Sequence, residues 1–392
     1  MHLPETTDQT QEESAPPRRA RVAARVGPHA TVIDVDDAIS LRLDAEGRWS
    51  AWRDGSARFR RAVDGAVLVP QGAAFAPCDA ATAAAVHETV AATARRLLDL
   101  LPSLAAEELS LIGSREDLRA RLRSAGQWSA ERHRVHAAGF AQTFLEQVPI
   151  LPPHRYRDLV IQPARGCPNH RCTFCAFYRD VPFEVVDLPT FEGHLAAVHA
   201  WFGQAVTERD GIFLGSASAL SMPDKLIFER LARVDAVFGR PHRGLAAFYD
   251  PDRGAVRTAA SWANLVDAGV ADVTIGLETA LPELRASVQK SPDLGRVHDC
   301  VVAMKRGGVR VALTVLLGLG GASQAPAHRD ATLAWLGELP LERSDLVYLS
   351  PLDGAGETEA GAAALATWRQ DLRDRTEARV GSYRIERFAW LA

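Results

Sequence analysis

The feature that most constrains the fold is a repeat of short apolar runs separated by helical stretches, which begins near residue 151. Six runs have the composition of buried strands: 157–163, 211–215, 244–249, 272–278, 309–318 and 345–350. The stretches after them have apolar residues at helical spacing, near 188–203, 223–238, 254–268, 281–307, 326–338 and 357–377. Continuous apolar strands alternating with helices indicate a parallel sheet that is buried on both faces. Six repeats fit either a doubly wound sheet or a barrel-like arc, and periodicity alone does not separate the two.

Two further zones precede this repeat, so that the expected domains are 1–28, 29–150 and 151–392. Residues 1–28 are polar, with a Pro pair and an Arg-rich patch, and predict a mobile, disordered tail. Residues 29–150 predict a small mixed region of unknown role. Its short alternating runs, broken by Asp-Gly and Glu-Gly, indicate a few antiparallel strands. Ala- and Leu-rich helices follow them, with Asp79 and Ser114 as candidate N-caps.

Composition argues against several classes of function. The formal net charge is −4, so bulk binding of nucleic acid or of an anionic membrane is not expected. Hydrophobic residues are 47% and charged residues 24% of the chain, as in an ordinary soluble globular protein. No apolar run is long enough to span a bilayer, and the N-terminus lacks the apolar segment of a signal peptide. We therefore expect a cytoplasmic protein with no membrane partner and no nucleic-acid partner.

The cysteines are the strongest chemical signal in the sequence. Three of the five, Cys167, Cys172 and Cys175, fall within nine residues. An odd number of cysteines, mostly in one cluster, does not suggest a disulfide framework. The cluster follows the first predicted strand, in the loop that leads to the first helix. Because loops at the carboxyl ends of parallel strands build active sites, metal binding at a functional site is the better interpretation.

The spacing Cys-x4-Cys-x2-Cys leaves two kinds of metal site open. Three neighbouring thiolates repel one another unless a cation lies among them. Zinc would need a fourth ligand, for which His170 is available, although it stands only two residues before Cys172. An iron–sulfur cube usually takes four thiolates, so three would leave one iron open to a small molecule. The first case is a non-catalytic zinc protein, and the second is an enzyme.

The cysteine run resembles the signature of the radical S-adenosylmethionine (SAM) superfamily, which has an aromatic residue immediately before the last cysteine. Phe174 occupies that position. The first gap holds four residues, whereas three is the commonest number in the superfamily. Three other segments resemble a radical SAM subgroup in the expected order: GIFLGSASALSMP at 211–223, DVTIGLET at 272–279 and VALTVLLGLGG at 311–321. The resemblance extends from Arg157 to the end of the chain.

This resemblance implies a fold, cofactors and partners. The fold would be an α/β partial (β/α)6 TIM-like barrel, preceded by the small mixed N-terminal region. Cys167, Cys172 and Cys175 would bind a [4Fe–4S] cluster, whose open iron would bind SAM. The activity implied is reductive cleavage of SAM to a 5′-deoxyadenosyl radical that abstracts hydrogen from an unidentified substrate. The partners would be a small-molecule or peptide substrate and an electron donor such as flavodoxin or ferredoxin.

The resemblance also implies six SAM contacts, in loops or at strand ends: Phe174, Gly215, Ser216, Glu278, Thr314 and Gly318. Phe174 would offer an apolar face to the adenine, which Thr314 and Gly318 would also border. The backbone at Gly215 and Ser216 would face the methionyl end. Glu278 would accept hydrogen bonds from the ribose or from the ammonium group. The isolated Cys78 and Cys300 are most simply small buried residues.

Overall fold

The computed structural model describes residues 21–72, 74–352, 359–385 and 388–392. In these ranges the strands form two large sheets and one two-stranded ribbon. The first sheet uses residues before 113, and the second uses residues after 158. No helix in the same ranges combines the length and the apolar character that crossing a membrane requires.

The N-terminal sheet is a meander packed against helices. Its strands are β1 (Val22–Val26), β2 (Thr31–Val35), β3 (Ile39–Leu43), β4 (Trp49–Asp54), β5 (Ala57–Arg61), β6 (Val67–Gln71), β7 (Ala74–Pro77) and β8 (Leu109–Ile112). The helices of this region are α1 (Ala80–Leu100), α2 (Arg115–Ala125), α3 (Ala130–Ala138) and α4 (Phe140–Thr143). Strands β1 to β7 pair antiparallel in sequence order, and β8 pairs in parallel with β1. Alternate strand residues and one face of α1 and α2 form the core.

Both predicted N-caps are confirmed in this region. The Asp79 side chain accepts a hydrogen bond from the backbone N–H of Thr82, and the Ser114 side chain accepts one from that of Asp117. The predicted disordered tail of residues 1–28 is too long, because Val22–Val26 is β1 and pairs with both β2 and β8. Alternating buried and exposed residues in this strand explain the difference, since its buried positions Val22 and Ala24 join the core. Residues 1–20 lie outside the described ranges.

The remaining strands are β9 (Leu159–Ile161), β10 (Ala164–Arg165), β11 (Glu184–Val185), β12 (Ile212–Leu214), β13 (Leu245–Phe248), β14 (Val270–Glu278), β15 (Arg310–Leu317), β16 (Leu346–Pro351) and β17 (Arg379–Ser382). The remaining helices are α5 (Leu188–Phe202), α6 (Asp224–Phe238), α7 (Ala259–Asp267), α8 (Pro282–Ser287), α9 (Leu294–Arg306), α10 (Gly321–Gly337) and α11 (Glu359–Arg373). All six strands predicted from the apolar runs are present in one parallel sheet, and β17 is the seventh strand of that sheet. Residues 357 and 358 of the last predicted helix lie outside the described ranges.

The strand order decides between the two predicted architectures. The sheet runs β9-β12-β13-β14-β15-β16-β17, with every neighbouring pair parallel. A doubly wound sheet reverses its strand order at a switch point, whereas a barrel adds each strand beside the last one. This sheet never reverses, and no described pairing joins its edge strands β9 and β17. It is therefore an open, partial barrel.

One predicted helix, 281–307, is in fact two helices. The chain breaks between α8 and α9, where Gln289 has a positive φ of 63° and Pro292 follows. A proline disfavours helical geometry in the residue before it and cannot donate a backbone hydrogen bond. The break contains Lys290, whose side chain is buried at the carboxyl end of the sheet.

The N-terminal region is anchored to the partial barrel through a buried arginine. Arg48 donates hydrogen bonds to the backbone oxygens of Trp201 and Phe202, at the end of α5, over 2.8 and 2.7 Å. Asp44 lies 2.6 Å from the Arg48 Nε and neutralises its charge. Ala62 also forms an isolated bridge with Leu391 near the end of the chain. The two regions therefore share buried polar contacts.

Candidate active site

The three clustered cysteines lie on a loop whose two ends are paired. The short strands β10 and β11 close the loop by pairing Arg165 with Glu184. An additional bridge joins Cys167 to Pro182. Gly166 has a positive φ of 66°, and a Cβ there would lie 2.2 Å from the Pro182 oxygen, so only glycine fits this close approach.

Cys167, Cys172 and Cys175 all line one cavity of about 470 Å³. It lies at the carboxyl ends of the parallel strands, because Glu278, the last residue of β14, and Pro351, the last of β16, also line it. This is the end at which a parallel α/β sheet places its active site. The sequence-based expectation that the cysteines lie beside the strand ends is confirmed.

Burial makes two of these cysteines, Cys167 and Cys172, poor thiolates on their own. It raises the pKa of Cys167 to about 12 and the pKa of Cys172 to about 11. A bound cation would reverse this preference, because metal ligation deprotonates a thiol. The Asn169 side-chain amide donates a hydrogen bond to the Cys172 sulfur over 3.3 Å, and donates a second one to the Gln289 oxygen over 3.0 Å. The site thus already supplies one donor for a negatively charged sulfur.

The loop does not have the geometry of a site for one metal ion. Across the described residues, which include the whole loop, no three His, Cys, Asp or Glu side chains are arranged to hold a single ion. The Nδ1 atom of His170 lies instead 3.2 Å from the backbone oxygen of Cys167. Zinc needs all its ligands around one point. An iron–sulfur cube binds each thiolate through a different iron, and three cysteines that line one cavity are compatible with such a cube.

A buried carboxylate with an unpaired oxygen lies in the same cavity. Glu278 has a positive φ of 65° and follows a bulge in the pairing of β14 with β15. Its side chain is buried, and no described residue is hydrogen-bonded to its Oε2 atom. Gly276 makes room for this side chain, since a Cβ at residue 276 would lie 2.2 Å from Glu278 Oε1. An orphaned acceptor in a cavity is the expected trace of a ligand that donates hydrogen bonds.

Lys290 brings a positive charge to this carboxylate. Its Nζ atom donates a hydrogen bond to the Gly276 oxygen over 2.7 Å. Burial by itself lowers the pKa of Lys290, but the carboxylates of Asp250, Glu278 and Asp252 outweigh it and raise the pKa overall. Burial raises the pKa of Glu278, and Lys290 opposes that effect. The cavity therefore holds a charged cluster beside the cysteines, with acceptors on Asp250 and Glu278.

The structure brings some of the six predicted SAM contacts together. Phe174, Glu278 and Thr314 line the cavity. Gly215, Ser216 and Gly318 are not among its lining residues, although Ala217, which follows Ser216, is one. Phe174 packs against an apolar cluster at the cavity wall, which contains Leu284, Val288, Leu316 and Leu319. All six roles stay predictions.

Sequence reasoning missed several polar residues of the cavity, among them Asp250, Lys290 and Ser350. Asp250 follows the third predicted strand directly, and this position at the carboxyl end of a parallel strand is a signal that could have found it. Ser350 lies within the sixth predicted strand, and its buried Oγ atom has no described partner. Lys290 carried no usable signal, because it lies in a stretch with continuous helical periodicity.

No protein-family model and no curated protein matches the sequence. Three of the solved structures that are similar to it are TsrM, HemN and PylB. TsrM from Kitasatospora setae is a radical SAM methyltransferase with cobalamin and a [4Fe–4S] cluster bound; it is 16% identical over 50% of this chain and 37% of its own, with a TM-score of 0.37. HemN from Escherichia coli, coproporphyrinogen III oxidase, is a radical SAM enzyme; it is 14% identical over 57% of this chain and 49% of its own, with a TM-score of 0.39. The methylornithine synthase PylB is 16% identical over 73% of this chain and 81% of its own, with a TM-score of 0.37.

The neighbours described as radical SAM enzymes belong to the superfamily that the cysteine run resembles. The chain spans less than half the length of TsrM and of HemN. At these identities and scores, the similarity is not evidence of a shared activity.

Proposed function

We propose that this protein is a radical SAM enzyme. The observation that carries the proposal is that Cys167, Cys172 and Cys175 line one cavity at the carboxyl ends of the parallel strands. A [4Fe–4S] cluster held by three cysteines would leave one iron open to the amino and carboxylate groups of SAM. The chemistry it would supply is the reductive cleavage of SAM to a 5′-deoxyadenosyl radical, which abstracts hydrogen from a substrate.

In this proposal the chain's own residues hold the cofactors and balance their charge. The three thiolates bind iron, and the amide of Asn169 stabilises the Cys172 sulfur through its hydrogen bond. Glu278 offers its unpaired oxygen to the ribose hydroxyls or to the ammonium group of SAM. Burial raises the pKa of Glu278, and the charge of Lys290 opposes that rise and so favours the ionised form, which is the better acceptor.

Apolar and backbone groups bind the rest of SAM. We propose that Phe174 contacts the adenine and that Thr314 and Gly318 border it. We propose that Gly215 and Ser216 present backbone groups to the methionyl end. Ser216 has a positive φ of 78°, and Gly215 is packed so closely that a Cβ would lie 2.8 Å from the Gln162 side chain. Backbone held this firmly suits the recognition of a small polar group.

The cavity walls also suit a reaction that water must not reach. Aromatic side chains make up much of the lining: Phe174, Phe177, Tyr178, Phe248, Tyr249 and Tyr383. A volume of about 470 Å³ falls in the ordinary range for a small-molecule site. An apolar lining excludes water from a reactive species and limits side reactions.

The proposal includes a substrate, a reductant and a location. The substrate is a small molecule or a peptide, and the electron donor is a flavodoxin or a ferredoxin. All five cysteines are free thiols in the structure. Free thiols are typical of a reducing compartment, and we therefore propose the cytoplasm.

Anaerobic reconstitution tests the proposal. The wild-type protein should be brown, bind about four irons and release 5′-deoxyadenosine from SAM once reduced. C167A, C172A and C175A should each lose most of that activity, because each removes a cluster ligand. C78A and C300A are matched controls, since they remove a cysteine elsewhere, and they should retain cluster and activity. A colourless protein with one tightly bound zinc would contradict the proposal.

A further inference from the structure

A second large cleft lies at the opposite end of the parallel sheet. It has a volume of about 620 Å³ and is lined at the amino ends of the strands. Leu245, Arg310, Leu346 and Arg379 line it, and each is the first residue of its strand. Since all these strands run in parallel, the cleft is separated from the cysteine cavity by the length of the sheet.

The charges that line this cleft are almost all positive. It has four arginines, two histidines and a single carboxylate, that of Asp272. Asp272 is already occupied, because Arg310 donates two hydrogen bonds to it, over 2.8 and 2.7 Å, and Arg155 donates a third. Asp158 forms an ion pair with Arg155 over 3.0 Å, so these two carboxylates balance Arg155 and Arg310.

The other three arginines of the cleft, Arg240, Arg243 and Arg379, are not held by a carboxylate in this way. Arg240 donates a hydrogen bond to the backbone oxygen of Asp267 over 3.1 Å, and its nearest carboxylate is 3.8 Å away, on Asp235. Among the described residues, the guanidinium groups of Arg243 and Arg379 have no hydrogen-bond or ion-pair partner. Arg243 and Arg379 line the same cleft, and a guanidinium group can donate paired hydrogen bonds to a phosphate.

The pKa of a buried histidine, His154, reflects both its burial and the positive charge of the arginines around it. Burial, followed by the charges of Arg155, Arg243, Arg310 and Arg379, lowers the pKa of His154 to about 3. His154 is therefore neutral. Its Nδ1 atom lies 3.0 Å from the Tyr348 hydroxyl, and its Nε2 atom is buried with no described partner. Three arginines of the cleft, Arg243, Arg310 and Arg379, are thus close enough to His154 for their charges to affect it together.

We infer that this cleft binds a phosphate group, free or carried by a small molecule, between Arg243 and Arg379. Arg240 completes the positive rim, and Arg310 is fixed in place by its fork on Asp272. The inference is independent of the radical SAM proposal, because no residue of the cysteine cavity takes part in it. The cleft is much larger than one phosphate and has room for the body of a phosphate ester.

Titration calorimetry with inorganic phosphate and with ribose 5-phosphate tests the inference in wild-type protein and in R243Q/R379Q. We expect saturable binding to the wild type and at least about a tenfold loss in the variant, because the two substitutions remove charged hydrogen-bond donors to the phosphate. Tighter binding of ribose 5-phosphate would identify a phosphate ester as the ligand, and equal binding would identify inorganic phosphate. R58Q/R60Q removes the same charge from exposed positions on β5 and should bind as the wild type does.

Three results would overturn the inference: no saturable binding, an equal loss in R58Q/R60Q, or binding of citrate without binding of phosphate. A measurement on the wild type covers the case in which R243Q/R379Q does not fold. Phosphate should protect Arg243 and Arg379 from modification by phenylglyoxal, mapped by mass spectrometry, while Arg58 and Arg60 are still modified. Equal modification of all four with and without phosphate would refute the site.

Discussion

The side-chain amide of Asn169 joins the sulfur of Cys172 to the backbone oxygen of Gln289, with hydrogen bonds of 3.3 and 3.0 Å. Asn169 is buried, and it ties the cysteine loop to the break between α8 and α9. The same break carries Lys290, so the cysteines and the charged cluster of the cavity are held in a fixed relation.

N169A should weaken the cluster without abolishing it. The variant loses a hydrogen bond to a charged sulfur, which is worth about 1.5–3 kcal/mol. We expect the reconstituted protein to lose iron to a chelator about ten times faster than the wild type. N264A removes an asparagine side chain from the exposed face of α7 and should lose iron at the wild-type rate. Identical rates in N169A and wild type would show that the Asn169 contact does not support the cluster.

E278Q should separate SAM binding from iron binding. The change keeps the size of the side chain but removes the charge that would attract an ammonium group or a ribose hydroxyl. We expect the dissociation constant for SAM to rise at least about tenfold, with the iron content unchanged. E283Q, on the exposed side of α8, is the matched control. Wild-type SAM affinity in E278Q would exclude Glu278 from the SAM site.

The buried histidines predict that acid destabilises the fold. Burial lowers the pKa of six of them: His87, His133, His136, His154, His194 and His328. For His87 and His194 the folded value is about 4, so the unfolded chain binds more protons as the pH falls below 6.5. Stability is then fully present above pH 6.5 and falls by up to about 1.4 kcal/mol per pH unit for each histidine. Four carboxyl groups act in the opposite direction, because burial raises the pKa of Asp158 to about 6 and also raises the pKa values of Glu146, Glu208 and Glu278, but they are fewer than the six histidines.

Urea denaturation at pH 7.5, 6.0 and 5.0 measures this effect. The midpoint should fall steadily, and the fall should be smaller in H194N than in the wild type. In the wild type, His194 accepts a hydrogen bond from the Gln162 backbone N–H and donates one to the Thr143 oxygen, an arrangement that only the neutral ring can make. H29N, which changes an exposed histidine, should follow the wild-type curve. A midpoint independent of pH over this range would refute the prediction.

R48A should destabilise the protein more than an ordinary surface change does. Removing this side chain leaves the buried carboxylate of Asp44 without its 2.6 Å partner and leaves two backbone oxygens of α5 unpaired. We expect a loss of about 3–5 kcal/mol in the free energy of unfolding, measured with urea. R53A, a partly exposed change on β4, should cost less than about 1 kcal/mol. Equal effects of the two changes would show that the Arg48 contacts do not stabilise the protein.

The parallel sheet could be predicted because its strands are apolar on both faces, which produces continuous runs such as 309–318. Glu278 was predicted from the family resemblance, whereas Asp250, which also follows a predicted strand, was not predicted. Two kinds of feature could not be predicted. Lys290 occupies a helix break that depends on the backbone at Gln289 and on Pro292, while the apolar spacing continues through it. The arginines of the second cleft are far apart in the sequence, and only the folding of the sheet brings Arg243 near Arg379.

The pairing of Arg165 with Glu184 has a consequence for how the enzyme would mature. A loop whose two ends are already paired as strands has lost much of its conformational freedom before any iron binds. The cluster would then be assembled on a loop that is already folded, and the loop would not need the cluster in order to fold. An iron–sulfur donor would meet its acceptor thiols already gathered in their final neighbourhood.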